Sequence, residues 1–475
     1  MLWTALHFTC LPLESFPQAS AQSEPWAVTD GAAVAVCNPQ AGARGVRRGM
    51  SLSAACALAP DLNYRPRDLK AETAALEHIA AWAGQFTPSV TLQPPCGLLL
   101  EIEGSLGLLG GIRNILESIR RGSAEMGYTL TLACAPTVAA AWLLARAGSE
   151  KIITGKRAIE SAIAPLPVAA LECGAQTLDI LDAIGARTIG ELLQLPRDGL
   201  ARRCGQQLLC ELDRALGILP EARQFYSPAP HFEAALELGT EVASTEALLF
   251  AARRLLMQFT GYLAGRCGGV QHFNLVLMHE DHADTLLEIG LVTPARDLDR
   301  FVTLVRERLA VHALAAPVYR IRLQADDILA LAGASGQLFP DPAHISGDWV
   351  KLIERLRARL GADSVQGLSP RNEHRPECAW QTIMPGTRIT QVAHPPRPLW
   401  LLAAPRALNE VASKPHYRNG PLALIAGPER IESGWWDTGG IMRDYFVAQT
   451  PDHSTLWIYR ERRQPGGWYL HGIFG

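Results

Sequence analysis

The chain has 475 residues, 48% of them hydrophobic and 19% charged, with a formal net charge of −3. That length and apolar content fit several packed domains and exclude a disordered chain. The near-neutral balance excludes a global positive field, so any hold on nucleic acid must come from local basic patches.

Residues 1–14, MLWTALHFTCLPLE, read as an opening strand. Residues 31–62 alternate small and basic residues before a helix over Leu52–Ala59, which suggests a small subdomain inserted early. Apolar spacing predicts a helix over Ala71–Trp82, and GLLLEIEG at 97–104 reads as a buried strand closed by glycine. A helix over Ile112–Met126, a strand TLTLACA at 129–135 and a helix over Thr137–Ala147 follow, the mixture of an α+β or α/β core. From 166 to 217 short helices succeed one another, punctuated by Gly174, Gly185, Gly190 and Gly205. One reading is tandem helix-hairpin-helix units, whose tight turns expose backbone N–H groups at helix N-termini to a DNA phosphate. The other is an ordinary helical bundle.

Pro228 and Pro230 mark a linker. Residues 231–325 then give strand (HFEAALEL), helix (Thr245–Leu263), strand (VQHFNLVLMH), helix (Leu298–Val311) and strand (VYRIRLQA). A loop rich in Gly, Ala, Ser and Pro spans 332–347, and a helix runs over Trp349–Leu360. The segment from about 380 onward is rich in Pro, Gly and Trp and ends in strand-like TLWIYR and GWYLHGIFG, a small β-containing module.

The ten cysteines stand singly with no C-x-x-C pair, which points to reduced thiols in a cytosolic protein rather than a zinc or redox motif. No basic region precedes an apolar stretch at the start, and nowhere do about 18 uncharged apolar residues run together, so neither export nor membrane insertion is expected. His279-Glu280-Asp281-His282 invites a metal reading, but it lies between two strands with no third partner, and a polar hairpin turn is preferred. Trp400, Trp435, Trp436, Tyr445, Trp457, Trp468 and Tyr469 suit either a partner surface or the core of the terminal module, and core is expected for most.

Four segments together carry a resemblance: ARGVRRGMSLSAACALAPDL (43–62), LEIEGSLGLLGG (100–111), LACAPTVAAAWLLAR (132–146) and GARTIGELLQLPRDGLARRCG (185–205). Over residues 1–325 the chain resembles the Y-family translesion DNA polymerases, the DinB and UmuC group. LHFTCLPLE, ERLRARLGADSVQGLSPRNEHRPECAW (354–380) and LWIYRERRQPGGWYLHGIFG (456–475) extend a likeness to the ImuB family, polymerase-like members of a bacterial mutagenesis cassette, over essentially the whole chain. The resemblance implies an α+β multidomain right hand with a C-terminal extension. Its parts would be a palm (1–26 and 72–165), fingers (27–71), a helix-hairpin-helix thumb (166–228), a little finger (229–327), a linker (328–348) and a family-specific C-terminal region (349–475).

Polymerisation on such a fold needs carboxylates that hold two magnesium ions, which activate the primer hydroxyl and neutralise the triphosphate. Aligned on the family's motifs, Ala5 falls at the first-strand aspartate and Cys96 and Gly97 at the Asp-Glu pair. Independently of alignment, residues 1–13 and 78–100 contain no Asp or Glu, so a short slip in register restores nothing. Val138 falls where the family's palm lysine stands, and Pro39 and Gly42 where its fingers tyrosine and arginine stand. Glu101 and Glu103 are the nearest candidate ligands, placed on one strand face by alternation, where a solvated face is the commoner role. Arg44 either compensates in part for the lost phosphate contacts or is a surface arginine. No catalytic residue, metal or cofactor is expected.

The resemblance also implies partners. DNA would be met at Gly174, Gly185, Arg202, Arg203 and Gly205 of the thumb and at Arg320 and Arg322 on one strand face. Gln337-Leu338-Phe339, in a Gly/Ala/Ser/Pro-rich loop, resembles a motif for the β sliding clamp, a Gln and Leu-Phe anchor entering an apolar pocket. ImuA and an error-prone DnaE-type polymerase complete the implied set for a cytoplasmic, damage-induced adaptor. Two alternatives stand beside it: an active polymerase with a rebuilt metal site, and a plain DNA-binding module with an inert loop.

Overall fold

The computed structural model describes residues 1–16, 24–331, 343–387, 389, 396–418 and 420–475. They divide into two units, Met1–Arg359 and Leu360–Gly475. Gln337, Leu338 and Phe339 lie outside the described residues.

The first unit is built on an antiparallel sheet in the order Val90–Gln93, Gly97–Glu101, Trp3–His7, Thr131–Ala135. Both faces of this palm sheet are buried, which is why its strands read as apolar runs instead of alternating. On one face Trp3, Ala5, Leu99 and Ala133 pack against the helix Val138–Arg146. On the other, Leu6, Leu98, Leu100 and Leu132 meet the helices Leu69–Ala83 and Ile112–Glu125. The helix Leu69–Ala83 starts where Asp68 accepts the N–H groups of Lys70 and Ala71 at 3.0 and 3.1 Å.

The fingers are a three-stranded sheet, ordered Ala33–Cys37, Trp26–Asp30, Asn63–Pro66, with short helices Pro39–Ala43 and Leu52–Leu58. The thumb is a run of helices: Ala175–Ala183, Ile189–Leu193, Arg197–Cys204 and Gln206–Leu216. The little finger carries the strand order Thr285–Ala295, Gly268–Met278, Val318–Ala325, Phe232–Val242, with the helices Thr245–Gly265 and Leu298–Val311 packed on its apolar face. The strand Thr285–Ala295 was not among the predicted elements, although its burial alternates over Leu286–Leu291. Palm and little finger touch where glycine removes the side chain. A Cβ on Gly265 would lie 2.8 Å from the backbone of Gly84, and one on Gly261 would lie 2.3 Å from the ring of Trp82.

The helix Ala343–Leu360 belongs to the first unit almost to its end, so the domain boundary read at residue 349 moves to Leu360. Glu354, 1% exposed, anchors it by accepting from Arg300 Nε at 2.7 Å and from the Val292 N–H at 2.7 Å.

In the second unit an antiparallel sheet runs Lys414–Tyr417, Trp400–Val411, Gly467–Ile473, Thr455–Glu461, Ile441–Gln449, Ala423–Ser433. The segment from Gly420 to Ser433 pairs with the first of these strands at Tyr417↔Gly420 and with Ile441–Gln449 along the rest, which closes the sheet on itself. One side of the sheet holds Leu456, Ile458, Trp468 and Leu470; the other holds Tyr445, Trp457 and Tyr459, with Tyr445 and Trp457 stacked at 4.2 Å. The terminal aromatics therefore split. Tyr445, Trp457 and Trp468 are core, whereas Trp435 and Trp436 are 82% and 60% exposed and Trp400 is exposed too.

His471 is buried among these rings, its Nδ1 2.8 Å from the Tyr445 hydroxyl. Burial holds its pKa at about 4, below the ordinary 6.5 and against the opposing charge of Glu377. A folded pKa below the unfolded one means that the unfolded chain binds the extra proton. Stability is then expected to fall as pH drops from 6.5 towards 4, by up to about 1.4 kcal/mol per pH unit. Tryptophan-monitored urea unfolding at pH 7 and pH 5 checks this, and His471→Gln should flatten the slope; equal slopes in both chains would exclude the histidine as the cause.

Among the described residues no helix is long and apolar enough to cross a membrane.

Candidate functional site: a polymerase-type cleft lined by arginine

The cleft lies at the end of the palm strands that faces the fingers. Antiparallel register sets His7 directly across from Gly97, and the Phe8 N–H donates to the Cys96 carbonyl at 2.8 Å. Ala5, expected at the first-strand ligand position, pairs instead with Leu99 and Ala133 and is fully buried in the sheet's core. The first-strand residue at the mouth is therefore His7. The correction is one of register: two residues along a strand keep the face and shift the position by about 7 Å.

Gly97 is filled from outside. A Cβ built on it would lie 2.4 Å from Cη2 and Cζ3 of Trp142, so the indole occupies the space a side chain at this position would need. Trp142 sits on the helix Val138–Arg146, meets His7 edge-on at 5.3 Å and donates its Nε1–H to Glu172 at 2.8 Å. Val138 stands at the first turn of the same helix, buried in the apolar core.

The cavity in front of these residues has a volume of about 610 Å³ and is bordered by His7, Arg48, Arg67, Cys96, Trp142, Arg146 and Glu172. Arg67 is matched by Glu72, with Nε and NH2 each 2.7 Å from a carboxylate oxygen, and lies 3.5 Å from Asp30. Arg146 shares Glu172 at 3.3 Å. Arg48 has no ion pair among the described residues. Burial first, then the charges of Arg146 and Arg48, hold the His7 imidazole at about 4, so it is neutral at pH 7. Burial likewise raises the Cys96 thiol, against the pull of the arginines, so it stays protonated.

A pair of divalent cations does not fit this donor set. Magnesium asks for several anionic oxygens. The cleft offers a neutral imidazole, a protonated thiol and three guanidinium groups, and its lining carboxylate, Glu172, is already engaged by Trp142 and Arg146. Glu101 sits at the far end of its strand, about 13 Å from Gly97 at strand rise, and accepts the N–H groups of Leu2 and Glu103 at 3.2 Å each. Glu103 lies past the strand in the one-turn helix Glu103–Ser105, so the two do not share a strand face. Among the described residues no group of His, Cys, Asp and Glu could hold a metal.

The fingers positions Pro39 and Gly42 lie in the short helix Pro39–Ala43, both exposed. Arg44 pairs with Asp61 and does not border the cavity; Arg48 does, four residues on. Sequence reasoning missed Trp142, Arg48, Arg67 and Arg146, and only Arg48 had a local signal, the basic pair in GVRRGM.

In the thumb the hairpins differ. Gly185 has φ +79° and turns the first, but the Arg187 and Thr188 N–H groups already donate to Glu191 at 2.7 and 2.9 Å, so a carboxylate sits where a phosphate would bind. Gly174 opens the helix Ala175–Ala183 and Gly205, φ +86°, opens Gln206–Leu216, neither with a side-chain cap. Arg202 and Arg203 are exposed beside Gly205. In the little finger, Arg322 lies 3.7 Å from Glu233, and Arg320 borders a crevice against His78 and Asp68 of the palm helix and its N-cap. His279 is buried, with Nδ1 2.9 Å from the Pro317 carbonyl and Nε2 2.9 Å from Thr285 Oγ1, which makes it a clasp of the hairpin.

The family model described as "IMS: impB/mucB/samB family" matches residues 13–146. Protein ImuB of Caulobacter vibrioides (strain NA1000 / CB15N) is 30% identical over 457 residues, which cover 91% of this chain and 100% of the relative. The chain belongs to the ImuB family. Among solved structures, this ImuB-family chain is similar to a Dbh ternary complex (TM-score 0.41, 17% identity, 69% of this chain and 100% of the other). It is also similar to DinB from Sulfolobus solfataricus (TM-score 0.39, 17% identity, 70% and 100%). Family membership makes it a Y-family polymerase-like protein.

Proposed function

We propose that this ImuB-family chain is a non-catalytic adaptor for DNA-damage-induced translesion synthesis and mutagenesis in the cytoplasm. Its polymerase-like body binds primer-template DNA, Gln337-Leu338-Phe339 binds the β sliding clamp, and the chain recruits ImuA and an error-prone DnaE-type polymerase that performs synthesis. The observation that carries the reading is Trp142 in the space beside Gly97, in a cavity bordered by three arginines and a single carboxylate, Glu172, that Trp142 and Arg146 already engage. DNA binding needs no metal site, since backbone N–H groups and guanidinium ions suffice for phosphates. The N-terminus at Gly205, without a side-chain cap and beside Arg202 and Arg203, supports this reading most directly.

The test is primer extension by purified protein with magnesium or manganese and all four deoxynucleotides, run beside clamp capture and DNA titration. No extension is expected, with clamp capture lost when Gln337, Leu338 and Phe339 are all changed to alanine. Arg202→Ala with Arg203→Ala should weaken DNA binding for every sequence alike and reduce the salt slope by about one to two. Metal-dependent extension above background would overturn the reading. Clamp capture indifferent to the loop would leave a plain DNA-binding module.

A further inference from the structure

A cleft that has lost its carboxylates could be inert, packed shut or turned to another ligand. Here it remains open, with a volume of about 610 Å³, inside the range of sites for small molecules. Its charge has changed sign. Arg48, Arg67 and Arg146 border it against the single carboxylate of Glu172. Of these cations, Arg67 is already matched by Glu72 and Arg146 by Glu172, whereas Arg48 has no counter-ion among the described residues.

We propose that this cleft takes a phosphate-class oxyanion directly on Arg48 and Arg146, without a divalent cation. Guanidinium presents paired N–H donors that match phosphate oxygens, and two such groups at one cavity favour a multivalent anion over a single carboxylate. His7 adds an uncharged ring to the cavity wall. Burial is the larger cause of its lowered pKa of about 4, with the charges of Arg146 and Arg48 behind it. The remaining walls, including Pro12, Ala35, Val36, Pro167 and Ala170, are mostly apolar, with the Thr9 hydroxyl as a polar exception. Recognition therefore rests on the anion. Two sources share that chemistry, a free polyphosphate and the tail of a nucleotide. The inference rests on the reading that no catalytic cation pair works in this cleft.

The experiment is calorimetric titration of the full chain with sodium tripolyphosphate and, separately, with dATP, in EDTA and then in excess magnesium. Saturable binding in EDTA is expected, weakened by magnesium because the complexed anion has lost charge. Arg48→Glu, at an exposed position that does not endanger folding, should weaken binding at least about tenfold, the equivalent of one charge-assisted contact. Equal affinity for the two ligands assigns the site to phosphate alone, and tighter binding of dATP assigns it to a nucleotide; both support the proposal. Absence of binding in EDTA, or binding that Arg48→Glu leaves unchanged, overturns it while leaving the adaptor reading intact. Binding that requires magnesium overturns it too, and if joined by primer extension it overturns the adaptor reading as well.

Discussion

Restoring the carboxylates as His7→Asp, Cys96→Asp and Gly97→Glu is expected to give a less stable protein that extends no primer. The obstacle is steric before it is electrostatic. A Cβ on Gly97 meets the Trp142 ring at 2.4 Å and the Gln93 carbonyl at 3.0 Å, so even Gly97→Ala forces the indole to move. Overpacking of this kind costs about 1–3 kcal/mol. The ring cannot yield freely, because Trp142 is buried against the palm and tied to Glu172 at 2.8 Å. New carboxylates would then stand beside Arg48, Arg67 and Arg146 and pair with them before they could bind magnesium. Urea unfolding of Gly97→Ala, Trp142→Leu and the double variant decides the steric part. The double variant should be more stable than the sum of the single losses predicts, as expected of residues that share one space. A neutral Gly97→Ala, or primer extension by the triple variant, would show that Trp142 does not block the site.

Glu354→Ala is expected to cost about 3–5 kcal/mol, since it strands a buried guanidinium and a backbone donor together. Arg300 is 15% exposed and gives Glu354 both its Nε and an NH2, while the Val292 N–H donates to the same carboxylate at 2.7 Å. Arg355, pairing with Glu307 at 3.0 Å, is half exposed and adds little by comparison. Glu354→Leu combined with Arg300→Met should recover much of the loss, because removing both charges leaves only the Val292 donor unmet. Urea midpoints at constant slope measure it. A loss below about 1 kcal/mol for Glu354→Ala would mean that the helix Ala343–Leu360 is not held by this carboxylate.

Local pattern made most of the elements legible. The helix expected over Ala71–Trp82 runs Leu69–Ala83, and the one expected over Ile112–Met126 runs Ile112–Glu125, because periodic burial and caps act over a few residues. Thr285–Ala295 was missed because its alternation begins beside the polar turn and its end carries Pro294. Ala5 was misplaced because register is a hydrogen-bonding relation between strands nearly a hundred residues apart.

The sequence by itself determined that residues 1–13 and 78–100 hold no Asp or Glu, windows wide enough to survive any small error of alignment. It also determined the family, through motifs that are contiguous in the chain. Only the tertiary structure decided which side chains meet at the cleft. His7, Arg48, Cys96, Trp142 and Glu172 come from five separate segments, and no periodicity links them. They meet because strand pairing sets His7 against Gly97, and because a glycine with no side chain leaves room for an indole from another helix.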